Sequence, residues 1–380
     1  MNSMRYDLAK LPLHTLLQPL TSAEVALTRL DERVACSPVG CGWMERMHFA
    51  DACASLWIDG ELVHIEDLVL HDGAHDVRAP THELTIAFDV LRTRRGIAAQ
   101  PANWALSPPG LNSLCRGGAT EEVVHRAEGE ETTRAVTAAG SATVERVAEE
   151  PDEDASDPLI GELAAIDALL ARSDAAIAAA RVRGQAAERE PLVYEDDWHE
   201  GARLEEWRAV LGDIEGLPPV LQAVLALDAW DTLGVLQHGS WLGRLLAAAI
   251  LRQAGLTTSG HLTAFNLGLK SIPVDRRRHR DRDARLSAML HAFGAAAELG
   301  LKEHDRLRLA HTMMERKLAG RRASSNLPGL IELVLSRPMV SAGMVAKALD
   351  ITPQAALRII GELGLREMTG RGRFRAWGII

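Results

Sequence analysis

Gln354, Ala355 and Arg358 lie on one face of a helix capped by Thr352, with Lys347 before them and Arg371, Arg373 and Arg375 after them. Gln354 and Arg358 have the donors and acceptors to read base edges. The cations suit phosphates, contacts that release counterions and weaken as salt rises. A second candidate is His238-Gly239-Ser240, a small polar loop ahead of an apolar helix from Arg244. Backbone N–H groups and the dipole at such a helix start favour an anion. His71, His75 and His82 stand near Asp72, Asp76 and Glu83, residue types that bind metals. Their spacing matches no metal motif, so no metal site is expected. Neither a G-x-x-x-x-G-K-[ST] nor a G-x-G-x-x-G stretch occurs, and no cofactor is expected. Serine, histidine and aspartate groupings need geometry before they can be read.

The DNA-type residues need a scaffold, and the segment Leu327–Ile380 supplies one. Leu330, Leu333 and Val334 mark a short amphipathic helix that Pro338 ends. Ser341 caps a second helix to Leu349, with Met344, Val345 and Ala348 inward. Thr352 caps a third, with Pro353 at its first position, running to about Leu363 with Ala356, Ile360 and Leu363 inward. Leu365–Met368 and Arg373–Trp377 then alternate as a hairpin around the glycine-rich turn Thr369–Gly372. This is the layout of a winged helix-turn-helix, with its third helix for the major groove and its wing for phosphates. The segment holds seven Arg or Lys against four Asp or Glu. Winged helices also dock proteins, and that alternative stays open.

Composition bounds the rest. The 380 residues carry a formal charge of −10, which excludes a whole-surface nucleic-acid binder and makes any DNA contact local. Aromatics are 4% and Ala-, Leu-, Arg- and Glu-rich stretches dominate, so a mainly helical chain is expected. Cys36, Cys41, Cys53 and Cys115 form no C-x-x-C pair and read as reduced thiols of a cytoplasmic protein. No run approaches the roughly 18 apolar residues of a membrane span.

In chain order, residues 1–20 read as an irregular lead-in, and Thr21 or Ser22 caps a helix to about Ala35. Pro38–Gly42 is a loop; helices follow at Trp43–Leu56, Ile65–Leu70 and His82–Arg95, the last closed by Gly96. Residues 117–158 lack an apolar period and end in an acidic run, so they read as a flexible linker. Helices are expected over Leu159–Arg183, Leu204–Leu211, Pro218–Leu233, Arg244–Ala254, Arg282–Leu299 and Glu303–Ala319. The basic run Arg276–Arg280 either reaches phosphates beside the winged helix or forms a surface loop with its neighbouring aspartates. The expected domains are 1–116, a linker 117–158, a helical core 159–326 and a winged helix 327–380.

Three stretches resemble Fic-type proteins, which move the nucleotidyl part of ATP onto protein hydroxyls and often carry a C-terminal winged helix. Their signature is His-x-Phe-x-(Asp/Glu)-Gly-Asn-Gly-Arg-x-x-Arg. Ser55-Leu-Trp-Ile-Asp59-Gly60 resembles the family's inhibitory Ser-x-x-x-Glu-Gly, and Leu242-Gly243-Arg244 resembles the end of the signature. The third stretch is Leu327–Ile380 itself. The resemblance implies a Fic-like helical core in which Asp59 pairs with Arg244 beside Ser55. It also implies lost catalysis: the catalytic histidine falls at Leu233 or Gly234, Gln237 replaces the acid, and His238-Gly239-Ser240-Trp241 replaces Gly-Asn-Gly-Arg. Over most of its length the chain also resembles an uncharacterised family of rhizobia and related alphaproteobacteria, with a domain of unknown function and a DNA-binding helix-turn-helix. The expected protein is a double-stranded DNA binder and transcriptional regulator with a catalytically degenerate core. The alternatives are a protein-docking module and an active nucleotidyl transferase.

Overall fold

A computed structural model describes residues 6–8, 11–74, 79–116, 198–258, 260–318, 326–369 and 375–379. The expected linker 117–158 and the expected helix over Leu159–Arg183 lie outside the described residues. What is described is mainly helical, with one small three-stranded sheet.

Two apolar stripes build the core. In α1 (Leu13–Ala35), Leu16, Leu20, Ala23, Leu27, Leu30 and Val34 recur on one face and are all buried. They face α11 (Arg282–Leu318), which buries Leu286, Leu290, Phe293, Ala297 and Leu307. Beside this pair, α7 (Pro219–Leu233) and α8 (Trp241–Gln253) are apolar around nearly their whole circumference, as interior helices are. Gly243 lets them approach: a Cβ there would meet Trp230 Cδ1 at 2.4 Å. A smaller apolar cluster joins α2 (Gly40–Asp59), α3 (Ile65–Asp72) and α4 (His82–Ala99) through Phe49, Leu56, Leu68, Val90 and Leu91. The remaining helices are α5 (Pro108–Cys115), α6 (Glu200–Asp213), α9 (Phe265–Lys270) and α10 (Val274–Arg277).

Several boundaries differ from the sequence expectation. The lead-in is helical from Leu13, so neither Thr21 nor Ser22 is a cap; Thr21 Oγ1 donates to Leu17 O at 2.9 Å. Pro19 forfeits one backbone bond, but Leu16 and Leu20 are both buried, and this stripe carries the helix across it. The expected loop Pro38–Gly42 gives way at Gly40, where α2 already begins. Helix α4 passes through Gly96 because Ile97 is buried beyond it. The two helices expected over 282–319 are one. Its Gly300 is a packing notch where a Cβ would press on Leu30 and Trp43, and its carbonyl accepts from Trp43 Nε1 at 2.9 Å. Helix α9 was not expected.

The C-terminal unit runs α12 (Leu327–Ser336), β1 (Val340–Ser341), α13 (Ala342–Leu349), α14 (Pro353–Leu363), β2 (Arg366–Glu367) and β3 (Ala376–Gly378). The sheet order is β1-β3-β2, both pairings antiparallel, with Val340 opposite Trp377 and Glu367 opposite Trp377 on its other side. The expected hairpin thus gains a third strand, β1, from residues that also start α13. Ser341 Oγ accepts from Met344 N at 3.1 Å, and Thr352 Oγ1 from Ala355 N at 3.2 Å. Met344 and Val345 are buried as expected, but Ala348 is exposed and Ala346 is buried instead.

Arg46 of α2 holds this unit to the core. Its Nη1 donates to Val334 O at 3.0 Å and Arg337 O at 2.6 Å, and its Nε to Glu303 Oε1 at 3.2 Å. Arg306 binds the same Glu303 at 2.6 Å and donates to Ile379 O at 3.0 Å. A second chain of contacts links Arg337 to Asp72, Asp72 to Arg95 and Arg95 to Glu45. Replacing Arg46 strands two carbonyls and leaves Glu303 to Arg306 alone. Arg46→Ala is expected to lower unfolding stability by about 3 kcal/mol, near the lower end for breaking a buried ion pair. Urea unfolding checks this, and an unchanged midpoint would refute the clasp.

Candidate nucleic-acid interface and the Asp59–Arg244 pair

Helix α14 is amphipathic by construction. Ala356, Ile359, Ile360 and Leu363 are buried, while Gln354, Leu357, Arg358 and Gly361 are exposed. The exposed four follow i, i+3, i+4, i+7 spacing and so share one face. Ala355 is half-buried at its edge, and Thr352 is the cap that starts the helix. Lys347 projects from α13 into solvent. The far end of α14 is pinned from the core: Lys317 Nζ, in the last turn of α11, donates to Leu363 O at 2.5 Å. This lysine caps a helix C-terminus, where a cation is favoured.

Of the wing arginines, Arg371 and Arg373 lie outside the described residues. Arg375 is exposed, but its guanidinium is engaged by Glu367 at 2.6 Å and lies over the Trp377 ring at 5.3 Å. A phosphate contact from Arg375 therefore competes with an internal one. Leu357 was missed by sequence reading, which looked for polar readers; it is 45% exposed between Gln354 and Arg358. Helical spacing alone could have found it.

The basic run Arg276–Arg280 is not beside the winged helix. It precedes the N-terminus of α11, whereas the C-terminal unit is held at Arg306 and Lys317 of the same helix. At 1.5 Å per residue these points lie roughly 35 Å or more apart along the axis. Arg277 instead lies over Trp57 at 5.1 Å, with Lys270 at 5.3 Å from the same ring, and Arg278 donates to Ile58 O at 3.4 Å.

Asp59 and Arg244 meet in this region. Arg244 Nη2 donates to Asp59 Oδ2 at 2.6 Å and Nη1 to Oδ1 at 3.0 Å, a two-pronged pair. Nη2 also donates to Ser55 Oγ at 3.0 Å. Arg244 and Ser55 are buried, and Asp59 is partly exposed at the end of α2, where Gly60 takes φ +102° and stops the helix. The neighbouring Asp231 carboxyl is raised to about 6 by desolvation, with Arg244 opposing and Asp228 adding to the shift. Behind it, buried Asp228 accepts from Tyr6, Arg282 and Arg285 at 2.7, 3.1 and 2.8 Å.

In the loop before α8, Gly239 has φ +86° and its carbonyl accepts from Leu242 N at 2.9 Å. Ser240 stands at the cap position without a side-chain cap bond, and His238 is exposed. The first arginine of α8 points at Asp59 rather than across this loop. In the histidine-rich stretch, His75 and Asp76 lie outside the described residues. His71 packs edge-on to Phe88 at 4.7 Å, and Asp72 is taken by Arg95 and Arg337. Among the described residues, no three His, Cys, Asp or Glu side chains gather as metal ligands, and no helix is long and apolar enough to cross a membrane.

Two family comparisons match the chain. Residues 192–319 match a family described as a protein of unknown function, DUF1612, and residues 327–380 match one described as an HTH DNA binding domain. Over 385 aligned residues the chain is 60% identical to the Uncharacterized protein y4cF of Sinorhizobium fredii (strain NBRC 101917 / NGR234), spanning 99% of this chain and all of that protein.

The two-pronged pair is testable by a double-mutant cycle. Asp59→Ala and Arg244→Met should each destabilise, and their coupling should be about 1 kcal/mol or more, above the usual value for exposed pairs. Chemical denaturation of the four proteins measures it; additive effects would refute the interaction.

Proposed function

Because the chain belongs to one family with this rhizobial protein and ends in a helix-turn-helix DNA-binding domain, we propose that it is a transcriptional regulator that binds double-stranded DNA through α14. The observation that carries the reading is the outward face of α14, where Gln354, Leu357 and Arg358 stand together on a helix fixed at both ends. In this reading Arg358 takes a guanine edge and Gln354 an adenine edge. Ala355 lines the groove, and Thr352 fixes the helix start next to the phosphates. Lys347 and the wing arginines Arg371, Arg373 and Arg375 supply phosphate contacts.

The residues ahead of the helix-turn-helix are, in the same reading, a Fic-like core without its chemistry. No base stands at Leu233 or Gly234, and Asp59–Arg244 has become a fastening. In this reading the loop His238-Gly239-Ser240 would take an anion ahead of α8. The second reading is protein docking by the winged helix, favoured by Leu357 and Met368, which are 45% and 43% exposed. A nucleotidyl transferase would differ from both in needing ATP and a divalent metal.

Fluorescence anisotropy with duplex DNA separates these readings. Binding should weaken steeply with salt, with a log–log slope that falls by about 1 for each phosphate contact removed. An Arg358→Ala/Arg373→Ala double variant should lose specific binding. No binding at low salt by the folded protein would transfer the assignment to protein docking.

Leu357 gives a finer test. A leucine facing a major groove is matched by the 5-methyl group of thymine. Replacing thymine by deoxyuridine in a selected site should weaken binding by about 0.8 kcal/mol, roughly fourfold, the worth of one buried methyl. Leu357→Ala should be insensitive to the replacement. Equal losses in both proteins would remove Leu357 from base reading and leave DNA binding itself untouched.

A further inference from the structure

The surface between the last turns of α1 and the middle of α11 has a use that DNA binding does not account for. It forms a cleft of about 570 Å3, whose lining includes Arg29, Arg33, Cys36, Ser37, His304 and Arg308. That volume is in the range of small-molecule sites. Arg29 and Arg33 are one helical turn apart on α1, and Arg308 faces them from α11. Arg33 is partly satisfied by Asp305 at 2.8 Å. Among the described residues, Arg29 and Arg308 make no ion pair, and Glu32 is the sole acidic side chain in the lining. Three guanidiniums gathered around a concavity repel one another unless an anion lies between them. This happens in a chain whose net charge is −10, so the local excess of cations is not a general property of its surface.

His304 is fully buried beside the cleft, and burial holds its imidazole below the usual range. Its Nε2 is 2.8 Å from Ser37 Oγ, and its Nδ1 stands 3.5 Å from the Asp305 carboxylate that also engages Arg33. A nucleophilic reading of Ser37 with His304 fails on its surroundings. Ser37 N donates to Val34 O, Gly40 N to Ser37 O and Val39 N to Ser37 Oγ, so the adjacent backbone N–H groups are spent and supply no oxyanion hole. The arrangement suits binding rather than catalysis.

We propose that this cleft binds a compact anion with two or more negative oxygens, a polycarboxylate or a phosphate ester, clamped between Arg29 and Arg308. Guanidinium forks match such oxygens in pairs, which a lysine-lined cleft would not do. Arg33 can turn from Asp305 to the ligand at little cost, because that ion pair is exposed. The site does not depend on the DNA-binding reading. It does share α11 with Glu303 and Arg306, the residues that hold the C-terminal unit.

The test uses the exposed free thiol of Cys36, which lines the cleft, against the exposed free thiol of Cys41, which does not. Iodoacetamide labelling of the full chain is followed at both by mass spectrometry. Pyrophosphate and citrate are added separately, with potassium chloride at matched ionic strength as the control. Either anion should slow Cys36 by about tenfold once present at about ten times its Kd, leaving Cys41 unchanged. Protection by pyrophosphate alone assigns a phosphate ester, and protection by citrate alone a polycarboxylate. The variant Arg29→Ala/Arg308→Ala, altered only at surface side chains, should lose the protection while keeping its unfolding midpoint. Labelling of Cys36 that neither anion slows beyond chloride, equal slowing at Cys41, or protection that survives in the double variant would each overturn the site.

Discussion

The guanidinium of Arg46 is the contact on which the relation between the core and the C-terminal unit depends. A buried cation must find acceptors, and here they are Glu303 of α11 and the carbonyls of Val334 and Arg337 at the end of α12. Those carbonyls belong to a helix C-terminus, where acceptors have no partner within the helix. One side chain therefore satisfies α12, anchors α2 and engages α11. Burial pushes this guanidinium down from its ordinary range, and Glu303 opposes the shift, so the charge is retained where it is needed. The orientation of α14 is then a property of the whole helical body rather than of a tethered module.

The same device recurs through the interior. Asp51 is fully buried and accepts from Arg94, from Asn266 Nδ2 at 2.8 Å and from Leu267 N at 3.0 Å. Asp31 accepts from the N–H and hydroxyl of Thr258 at 2.9 and 2.5 Å, and Asp228 gathers Tyr6, Arg282 and Arg285. Burying such pairs adds little net stability over apolar residues of similar volume, but leaving one partner alone is expensive. Their effect is positional. Each carboxylate fixes a loop or helix start that apolar packing alone would leave free to slide: Asp51 the start of α9, Asp31 the turn after α8, Asp228 the start of α11.

Charge is distributed differently in the DNA-binding unit. Its excess of cations is small, and two of the nearby ones have internal duties: Arg375 holds Glu367 across the hairpin, and Lys317 caps α14 from the core. In the proposed reading, recognition would rest on a narrow set of side chains, with Gln354, Leu357 and Arg358 at its centre. The acidic balance of the rest of the chain would then disfavour non-specific contact with phosphates.

Local chemistry made the C-terminal unit legible. Ser341, Thr352 and Pro353 are start signals whose physics is complete within four residues, and the 3.6-residue period of α14 sorts Ala356, Ile360 and Leu363 from Gln354 and Arg358 without further information. Only the tertiary structure decided whether local signals of the opposite kind prevailed. Gly96 reads as a helix end, and Gly300 and Pro19 fall where no helix was expected, yet helices run through all three because burial of Ile97, contact of Gly300 with Leu30 and Trp43, and the Leu16–Leu20 stripe outweigh a local cost of about 1–3 kcal/mol. Strand β1 was invisible because two residues carry no period; it exists only because β3 lies beside it. The meeting of Arg29 and Arg33 with Arg308 was equally hidden, since residues 275 or more positions apart become neighbours only when α1 packs along α11.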